Sequence, residues 1–258
     1  MYFSGKFFKF CANKIKGFAF TAYKDMKIFV LGPAGCGKSS FVKHFSEYLR
    51  EMDLDVKCVN LDPATDPIFD ANIDIRRFVK TEDIMKRFKL GINGALIKSM
   101  EESLKYVENL DLYGDYILYD TPGQMEIFIY SQSGVKMVER LSDQTTLGLF
   151  LIDSTLVADA ESFLSAIMQN AIVSLRLSIP TATIITKSDI ADIDVERMKE
   201  EISKKDTALA GLLEKTTHFI EYTTLSQRIV KISSLKKSGF SDVYSLIKEM
   251  FCTCGDVS

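Results

Sequence analysis

The residues with the clearest chemistry form a glycine-rich loop that ends in a lysine and two hydroxyl side chains. The loop reads Gly32-Pro33-Ala34-Gly35-Cys36-Gly37-Lys38-Ser39-Ser40 and fits the pattern G-x-x-x-x-G-K-[ST]. Its glycines allow backbone N–H groups to turn inward around phosphate oxygens, where a side chain would clash. In this pattern Lys38 reaches the β- and γ-phosphates, and the Ser39 hydroxyl can ligate Mg²⁺. A glycine-rich turn without a ligand is the alternative, but a loop between an apolar run and a helical pattern favours phosphate binding.

A second polar segment, Asp120-Thr121-Pro122-Gly123-Gln124, follows the apolar run at 116–119. An acid in this place can hold Mg²⁺ through water, as it does in P-loop NTPases. Gly123 leaves room for the backbone to approach a γ-phosphate and to rearrange once that phosphate has left. Gln124 could orient an attacking water, and Glu126 follows nearby. The alternatives are a tight turn and, for Glu126, a solvated residue in the first turn of a helix.

A third segment follows the apolar run at 182–186 and resembles the [NT]KxD element of GTPases. It reads Thr186-Lys187-Ser188-Asp189. The Asp189 carboxylate can accept hydrogen bonds from the N1–H and the 2-amino group of guanine, whereas adenine offers no such pair of donors. The Lys187 stem would lie along the base. Ser233 and Ser234 follow the apolar run at 229–232, where a GTPase places its last base-contacting loop, although Lys-x-Asp alone is common on protein surfaces.

Asp62 is a further candidate, because it follows the apolar run at 56–61 and precedes Pro63. Proline disfavours helical geometry in the residue before it, so Asp62 is expected at a strand end. A carboxylate there can accept a hydrogen bond from a water near phosphate. A capping or turn aspartate is the alternative.

The elements that position these residues are short apolar runs alternating with longer helical patterns. The runs predict strands at 27–31, 56–61, 116–119, 147–152, 182–186 and 229–232. Helices are expected at 39–52, 93–110, 124–141, 162–177 and 241–251. This alternation predicts an α/β fold, a doubly wound and mostly parallel sheet of the P-loop NTPase type. We expect a single domain over 26–258, with a helical insertion at about 63–114, after the second strand.

Composition excludes several classes of protein. The 258 residues are 47 % hydrophobic and 26 % charged, a globular balance that argues against a disordered chain. No apolar run reaches the ~18 residues that a transmembrane helix needs, so no transmembrane segment is expected. The net charge of −3 argues against direct nucleic-acid binding by bulk charge.

The cysteines are too scattered for a disulfide scaffold, and the two histidines argue against a zinc site. Free thiols in a reducing cytoplasm are therefore expected. Cys252 and Cys254 could instead bind a soft metal.

Residues 1–25 differ from the rest, because they hold five lysines and one acid, interleaved with phenylalanines. Such a basic aromatic segment could touch a membrane surface. Met26 directly precedes the first predicted strand, so a mis-assigned start is a second interpretation. A disordered or packed extension is a third.

Several motifs in fixed order resemble the GPN-loop GTPases over about Met26 to Met250. They are Asn60-Leu61-Asp62-Pro63-Ala64, Asp74-Ile75-Arg76, the stretch from Gly94 to Glu101, and the segments at Asp120 and Thr186. The resemblance implies a Mg²⁺-dependent P-loop GTPase, related to signal-recognition and MinD-like proteins, that binds GTP and GDP. It also implies a homodimer, or a heterodimer with a paralogue, and protein-assembly clients such as RNA polymerase.

By the same resemblance, Gly32–Ser40 hold phosphate, Ser39 binds Mg²⁺ with support from Asp120, and Lys187 and Asp189 read guanine. Asp62, Gln124 and Glu126 match positions around the attacking water.

The loop that names the family departs here, because it reads Gly91-Ile92-Asn93 with isoleucine in place of proline. In the family this loop faces the phosphates of the neighbouring subunit, which would place Asn93 in trans. The alternative is that Asn93 is only a helix N-cap. Loss of the proline should loosen the loop by about 0.5–1 kcal/mol of unfolded-state entropy.

The function expected from these residues is a GTP-hydrolysing switch whose bound nucleotide sets the conformation or partner affinity of a dimer. An ATP-using P-loop kinase or ATPase is one alternative. A nucleotide-dependent scaffold with negligible hydrolysis is another.

Overall fold

The computed structural model describes residues 25–203 and 228–252. Its strands are β1 Met26–Leu31, β2 Val56–Asn60, β3 Ile73–Asp74, β4 Tyr116–Asp120, β5 Thr146–Asp153, β6 Thr181–Thr186 and β7 Val230–Lys231. Its helices are α1 Lys38–Arg50, α2 Thr81–Phe88, α3 Ile92–Ser103, α4 Met125–Tyr130, α5 Gln132–Leu141, α6 Ala160–Leu177, α7 Val195–Ser203 and α8 Phe240–Cys252. Short 3₁₀ segments span Ile75–Arg77, Leu104–Leu110 and Ser154–Leu156.

The strands form one seven-stranded sheet in the order β3-β2-β4-β1-β5-β6-β7, with every pair parallel. β1 lies at the centre, so the chain first winds to one side and then to the other. Open sheets of this kind bind ligands outside the carboxyl ends of the strands, where the winding direction changes. The predicted doubly wound α/β fold is confirmed, and the motifs at Asp62, Asp120 and Lys187 follow the carboxyl ends of β2, β4 and β6.

The sheet is buried on both faces because successive strand residues point to opposite sides. On β1, Ile28 and Val30 belong to the core that includes α1 and α8. Phe29 and Leu31 belong to the other core, built with α3 to α6. Phe29 stacks on Tyr119 of β4 with ring centroids 4.7 Å apart. These two cores hold the strand ends, and therefore the loops that follow them, in fixed positions.

The single helix predicted at 124–141 is wrong, because the chain breaks at Ser131. Ser131 has extended backbone angles and its hydroxyl accepts a hydrogen bond from the Gly134 N–H at 3.0 Å, which caps α5. A side chain at Gly134 would place its Cβ 1.9 Å from the Phe128 carbonyl oxygen. The apolar periodicity runs through both helices, so it hides this break.

The helix predicted at 93–110 is α-helical only to Ser103 and continues as a 3₁₀ segment. Ser99 and Ser103 donate their hydroxyls to the carbonyls of Ala95 and Ser99, each at 2.7 Å. Such bonds to the preceding turn bend helices. The insertion is also not purely helical, since the two-residue strand β3 pairs with the end of β2. A strand this short leaves no periodic signal in the sequence.

The interpretations of residues 1–24 and of Cys254 lie outside the described residues. Within residues 25–203 and 228–252, no helix is both long and apolar enough to cross a membrane.

Candidate functional site

The phosphate loop connects the end of β1 to the start of α1. Its backbone needs glycine at Gly37, where φ is +94°, and at Gly32, where φ is +141° and a Cβ would lie 2.4 Å from a backbone carbonyl oxygen of β5. The buried Lys38 amino group donates to the carbonyl oxygens of Gly32 at 2.8 Å and Pro33 at 3.0 Å. The Lys38 side chain therefore folds back over the phosphate loop. The α1 N-terminus, which carries partial positive charge, opens beside it.

Ser39 and Asp120 meet across the loop, with the serine hydroxyl donating to Asp120 Oδ2 at 2.6 Å. The other oxygen, Asp120 Oδ1, is buried and has no hydrogen-bond partner among the described residues. Burial raises the pKa of Asp120 to about 7, against the opposing effects of the Ser39 hydroxyl and the Lys38 charge. A carboxylate with an orphaned oxygen next to a hydroxyl is a set of hard oxygen donors. These two residues therefore fit Mg²⁺.

Asp62 joins this group from the end of β2. Its Oδ1 accepts the N–H of Ala64 at 2.8 Å, a turn contact, and its Oδ2 accepts the N–H of Gly123 at 3.2 Å. The turn role considered for Asp62 is thus present, and it leaves the second oxygen directed at the segment after β4. Asp62, Asp120, Lys38 and Ser39 all line one cavity of about 320 Å³.

Asn60 holds Asp62 in place. Its amide nitrogen donates to the carbonyl of Asp62 at 3.2 Å, to the carbonyl of Thr65 at 3.3 Å and to Asp74 Oδ1 at 2.9 Å. Its amide oxygen accepts the Asp62 N–H at 3.0 Å. In the sequence, Asn60 stands out only as part of a motif. The signal that could have identified it is a side-chain amide at a buried strand position directly before a strand-end carboxylate.

Gln124 and Glu126 separate in space although they are near in sequence. Gln124 lines a mostly apolar cavity of about 250 Å³ together with Asp62 and Ile92. Glu126, in the first turn of α4, lines a different cavity of about 570 Å³ that also contains Cys36. The structure therefore brings Gln124 beside Asp62 and places Glu126 at another cavity.

Asn93 is exposed at the second position of α3. The helix begins at Ile92, and Gly91 occupies the N-cap position. The interpretation of Asn93 as an N-cap is wrong, because the helix begins one residue before it and Gly91 holds the N-cap position. The side chain is left free of a capping role.

The predicted base-recognition segment is bonded to the phosphate loop. The Thr186 hydroxyl donates to the Cys36 carbonyl at 2.7 Å. Asp189 is exposed, and a hydrogen bond with the Ser233 side chain lowers the pKa of its carboxyl group. The Ser188 N–H donates to a backbone carbonyl at the end of β7 at 3.0 Å. The structure thus brings Lys187, Asp189 and Ser233 together at the ends of β6 and β7.

Asp153, the last residue of β5, is a contact that sequence reasoning missed. Its Oδ2 accepts the Lys187 amino group at 2.5 Å, and its Oδ1 accepts the N–H and hydroxyl of Thr155 at 2.9 and 2.8 Å. Burial alone would raise the pKa of Asp153, but the hydrogen bonds from Lys187 and Thr155 outweigh it and hold the pKa below its usual value. An acid at the end of a predicted buried strand was the available signal.

The chain is similar to known proteins over most of its length. A family model described as a conserved hypothetical ATP binding protein matches residues 30–253. A GPN-loop GTPase of Pyrococcus abyssi is 29 % identical over 252 residues, which cover 90 % of this chain and 100 % of the relative. GPN-loop GTPase 3 of Danio rerio is 32 % identical over 237 residues, which cover 85 % and 78 %. The apo crystal structure of the Pyrococcus abyssi GTPase matches with a TM-score of 0.75 at 26 % identity, over 89 % of this chain and 98 % of that one. The chain therefore belongs to the GPN-loop GTPases.

Proposed function

We propose that this GTPase binds Mg²⁺–GTP along the carboxyl edge of the sheet and acts as a dimer whose partner contacts follow the bound nucleotide. The observation that carries the proposal is the joining of separate motifs at one edge. The Ser39 hydroxyl lies 2.6 Å from Asp120 Oδ2, and the Gly123 N–H lies 3.2 Å from Asp62 Oδ2. Catalysis of phosphoryl transfer depends mainly on positioning the reactants and on stabilising charge, and this arrangement can supply both.

The phosphates would be held by the loop backbone, the α1 N-terminus and Lys38. Lys38 exchanges its hydrogen bonds with the Gly32 and Pro33 carbonyls for bonds to phosphate oxygens. Ser39 and Asp120 would hold Mg²⁺, which neutralises charge on the β- and γ-phosphates when it is bound.

Asp62 and Gly123 supply the part that responds to the γ-phosphate. The Gly123 N–H donates to Asp62 in the described structure, and a γ-phosphate oxygen would compete for the same donor. Transfer of that hydrogen bond frees one carboxylate oxygen of Asp62 to accept from the attacking water, with Gln124 beside it. Phosphate release restores the bond between Asp62 and Gly123, which links hydrolysis to the position of the segment before α4.

Phosphate binding is tested with Lys38→Ala and Ser39→Ala in Mg²⁺-dependent nucleotide binding. Both should bind nucleotide much more weakly while keeping the fold. Lys43→Ala, on the same helix, is the matched control and should bind normally. Unchanged affinity in Lys38→Ala would show that the loop is not a phosphate site.

Guanine selection is tested with Asp189→Asn. We expect guanine-nucleotide affinity to fall by about 1–3 kcal/mol, because charge-assisted hydrogen bonds to the base are lost. Competition by ATP as strong as that by GTP in the unmodified chain would instead favour the ATP-using kinase or ATPase. Single-turnover decay of GTP, with and without Mg²⁺, separates a hydrolysing switch from a scaffold with negligible hydrolysis.

The dimer is tested at Asn93, which is exposed at the start of α3 and free of a capping role. If Asn93 reaches the neighbour's phosphates, mixing Asn93→Ala with Lys38→Ala gives heterodimers that contain one intact composite site and recover part of the activity. Heterodimers that form without recovery would reject the role in trans. Protein-assembly clients such as RNA polymerase, and a cytoplasmic location, stay predictions from the resemblance.

A further inference from the structure

The end of β5 holds the base-recognition lysine at two points. The Asp153 carboxylate accepts the Lys187 amino group at 2.5 Å, and the neighbouring Ser154 hydroxyl donates to the Lys187 backbone carbonyl at 2.8 Å. Asp153 and Ser154 are both buried, whereas the Lys187 side chain is 36 % exposed. The consecutive residues Asp153 and Ser154 therefore fix both the amino group and the backbone carbonyl of Lys187, which follows β6.

Lys187 needs such support because its backbone is in the left-handed region, with φ at +57°. A non-glycine residue adopts this conformation at a cost, and it persists where the surroundings impose it. The hydrogen bond from Ser154 to the Lys187 carbonyl is one such constraint, and the ion pair with Asp153 is another. A lysine held at both ends has little rotamer freedom left to lose when a ligand packs against its four-carbon stem.

We propose that Asp153 is a positioning residue for guanine recognition, one that acts through Lys187. The proposal rests on the proposed function, in which the Lys187 stem lies along the base and Asp189 reads its edge. The Asp153 carboxylate ties the lysine tip to β5, so that the stem spans the gap between the ends of β5 and β6. The planar base then packs on a preformed apolar surface. The Thr186 hydroxyl bond to Cys36 places this surface next to the phosphate loop.

The test measures GDP and GTP affinity by calorimetry on the full chain. Asp153→Asn keeps the shape and an acceptor for Thr155 but removes the charge that holds Lys187. We expect a loss of about five- to twenty-fold, less than for a fully buried ion pair, since water partly compensates the exposed lysine. Thr155→Val is the matched control, because it removes another Asp153 contact without touching Lys187, and it should change affinity less than about twofold.

A double-mutant cycle separates positioning from a general structural role. If Asp153 acts through Lys187, Asp153→Asn should add nothing in a Lys187→Met background. In steady-state hydrolysis, Asp153→Asn should raise KM and leave kcat unchanged, since the base is remote from the reacting phosphate. The same loss of affinity in both backgrounds, or no loss at all, would overturn the proposal.

Two further variants keep the outcome interpretable. Ser154→Ala removes only the hydroxyl bonded to the Lys187 carbonyl, so it replaces Asp153→Asn as the test of how Lys187 is held if Asp153→Asn unfolds. In that case, unchanged affinity in Ser154→Ala would contradict the proposal. Asp189→Asn tests the proposed base site itself. If Asp189→Asn weakens guanine binding and Asp153→Asn does not, the role of Asp153 is rejected while the assignment of the guanine site stands. If neither variant weakens it, the assignment of the guanine site fails.

Discussion

Replacing Asn60 with alanine should destabilise the protein and displace Asp62. Asn60 is 1 % exposed, its two amide N–H groups are shared among three acceptors, and its amide oxygen accepts a hydrogen bond from the Asp62 N–H. The contacts at 3.2 and 3.3 Å are long, whereas the one to the Asp74 carboxylate, at 2.9 Å, is charge-assisted. Leaving a buried group without its partner costs about 1–3 kcal/mol, and several groups lose their partner here.

The penalty is limited because Asn60 lines the cavity of about 320 Å³, from which water can reach the abandoned groups. We therefore expect a loss of about 2–3 kcal/mol in the free energy of unfolding. For a chain of this size, that corresponds to a decrease in Tm of about 4–12 °C. Because two of the lost bonds hold the Asp62 backbone, kcat/KM for GTP should fall as well.

The assay is urea unfolding followed by circular dichroism, combined with GTP hydrolysis of the folded variant. Asn72→Ala is the matched control, because the exposed Asn72 accepts a single bond, from the Cys58 N–H at 2.8 Å, and its loss should cost about 1 kcal/mol or less. Equal destabilisation by the two variants would refute the reasoning. Full GTPase activity in a destabilised Asn60→Ala protein would refute the link to Asp62.

Other changes test the fold. Gly134→Ala should lower the free energy of unfolding in urea by about 3 kcal/mol or more, because the new Cβ would lie 1.9 Å from a carbonyl oxygen of α4. Gly94→Ala is the matched control, because the nearest neighbours of its Cβ would be 3.7 Å away, and it should stabilise α3 by about 0.5–1 kcal/mol. The Lys27 amino group pairs with Asp111 at 2.8 Å and with Asp143 at 3.3 Å. Burial alone would lower the pKa of Lys27, but these two aspartates raise it. Its contribution to stability should therefore be present below its unfolded pKa of about 10.4 and be lost as the pH rises through the higher folded pKa, and Lys27→Met should unfold with a weaker dependence on alkaline pH. Removal of residues 1–24 should leave nucleotide binding unchanged in calorimetry, since every motif lies later in the chain; loss of binding would show that this segment is structural.

The sequence predicts the edge of the sheet better than it predicts the helices. Buried parallel strands are nearly continuous apolar runs, and each polar motif directly follows one of them, so the strand ends can be read with little error. Asp62 and Asp120 line one cavity and Lys187 lies farther along the same edge for this reason, since the carboxyl ends of parallel strands share one edge. The helices depend on local contacts that periodicity does not carry. The Ser131 hydroxyl caps the start of α5 and so divides the predicted helix, and β3 is a strand of two residues that pair with β2.

One position that the sequence patterns do not reveal depends on a partner far away in sequence. Asp153 carries no motif, and its importance follows from a lysine 34 residues later. Glu126 follows a motif closely, yet the first turn of α4 turns it to a different cavity from Asp62. Sequence spacing places a residue on an element but leaves open which side of the phosphate loop its side chain reaches. That choice is made by the packing of the helices on the sheet.

Under the proposed function, the hydrogen bonds between the motifs would link nucleotide binding at one end of the site to the conformation of the other end. The Thr186 hydroxyl ties the base-recognition segment to the Cys36 carbonyl, and two residues later in the chain lies Lys38, whose neighbour Ser39 is bonded to Asp120. The segment after Asp120 is bonded in turn, through Gly123, to the end of β2. Each of these links is a single hydrogen bond, so we expect that breaking one of them can move its segment without disturbing the two cores. Under the proposed function, a ligand that replaces the Gly123 hydrogen bond to Asp62 would shift the segment before α4 at little cost to the fold, which is what a nucleotide-dependent contact with a partner requires.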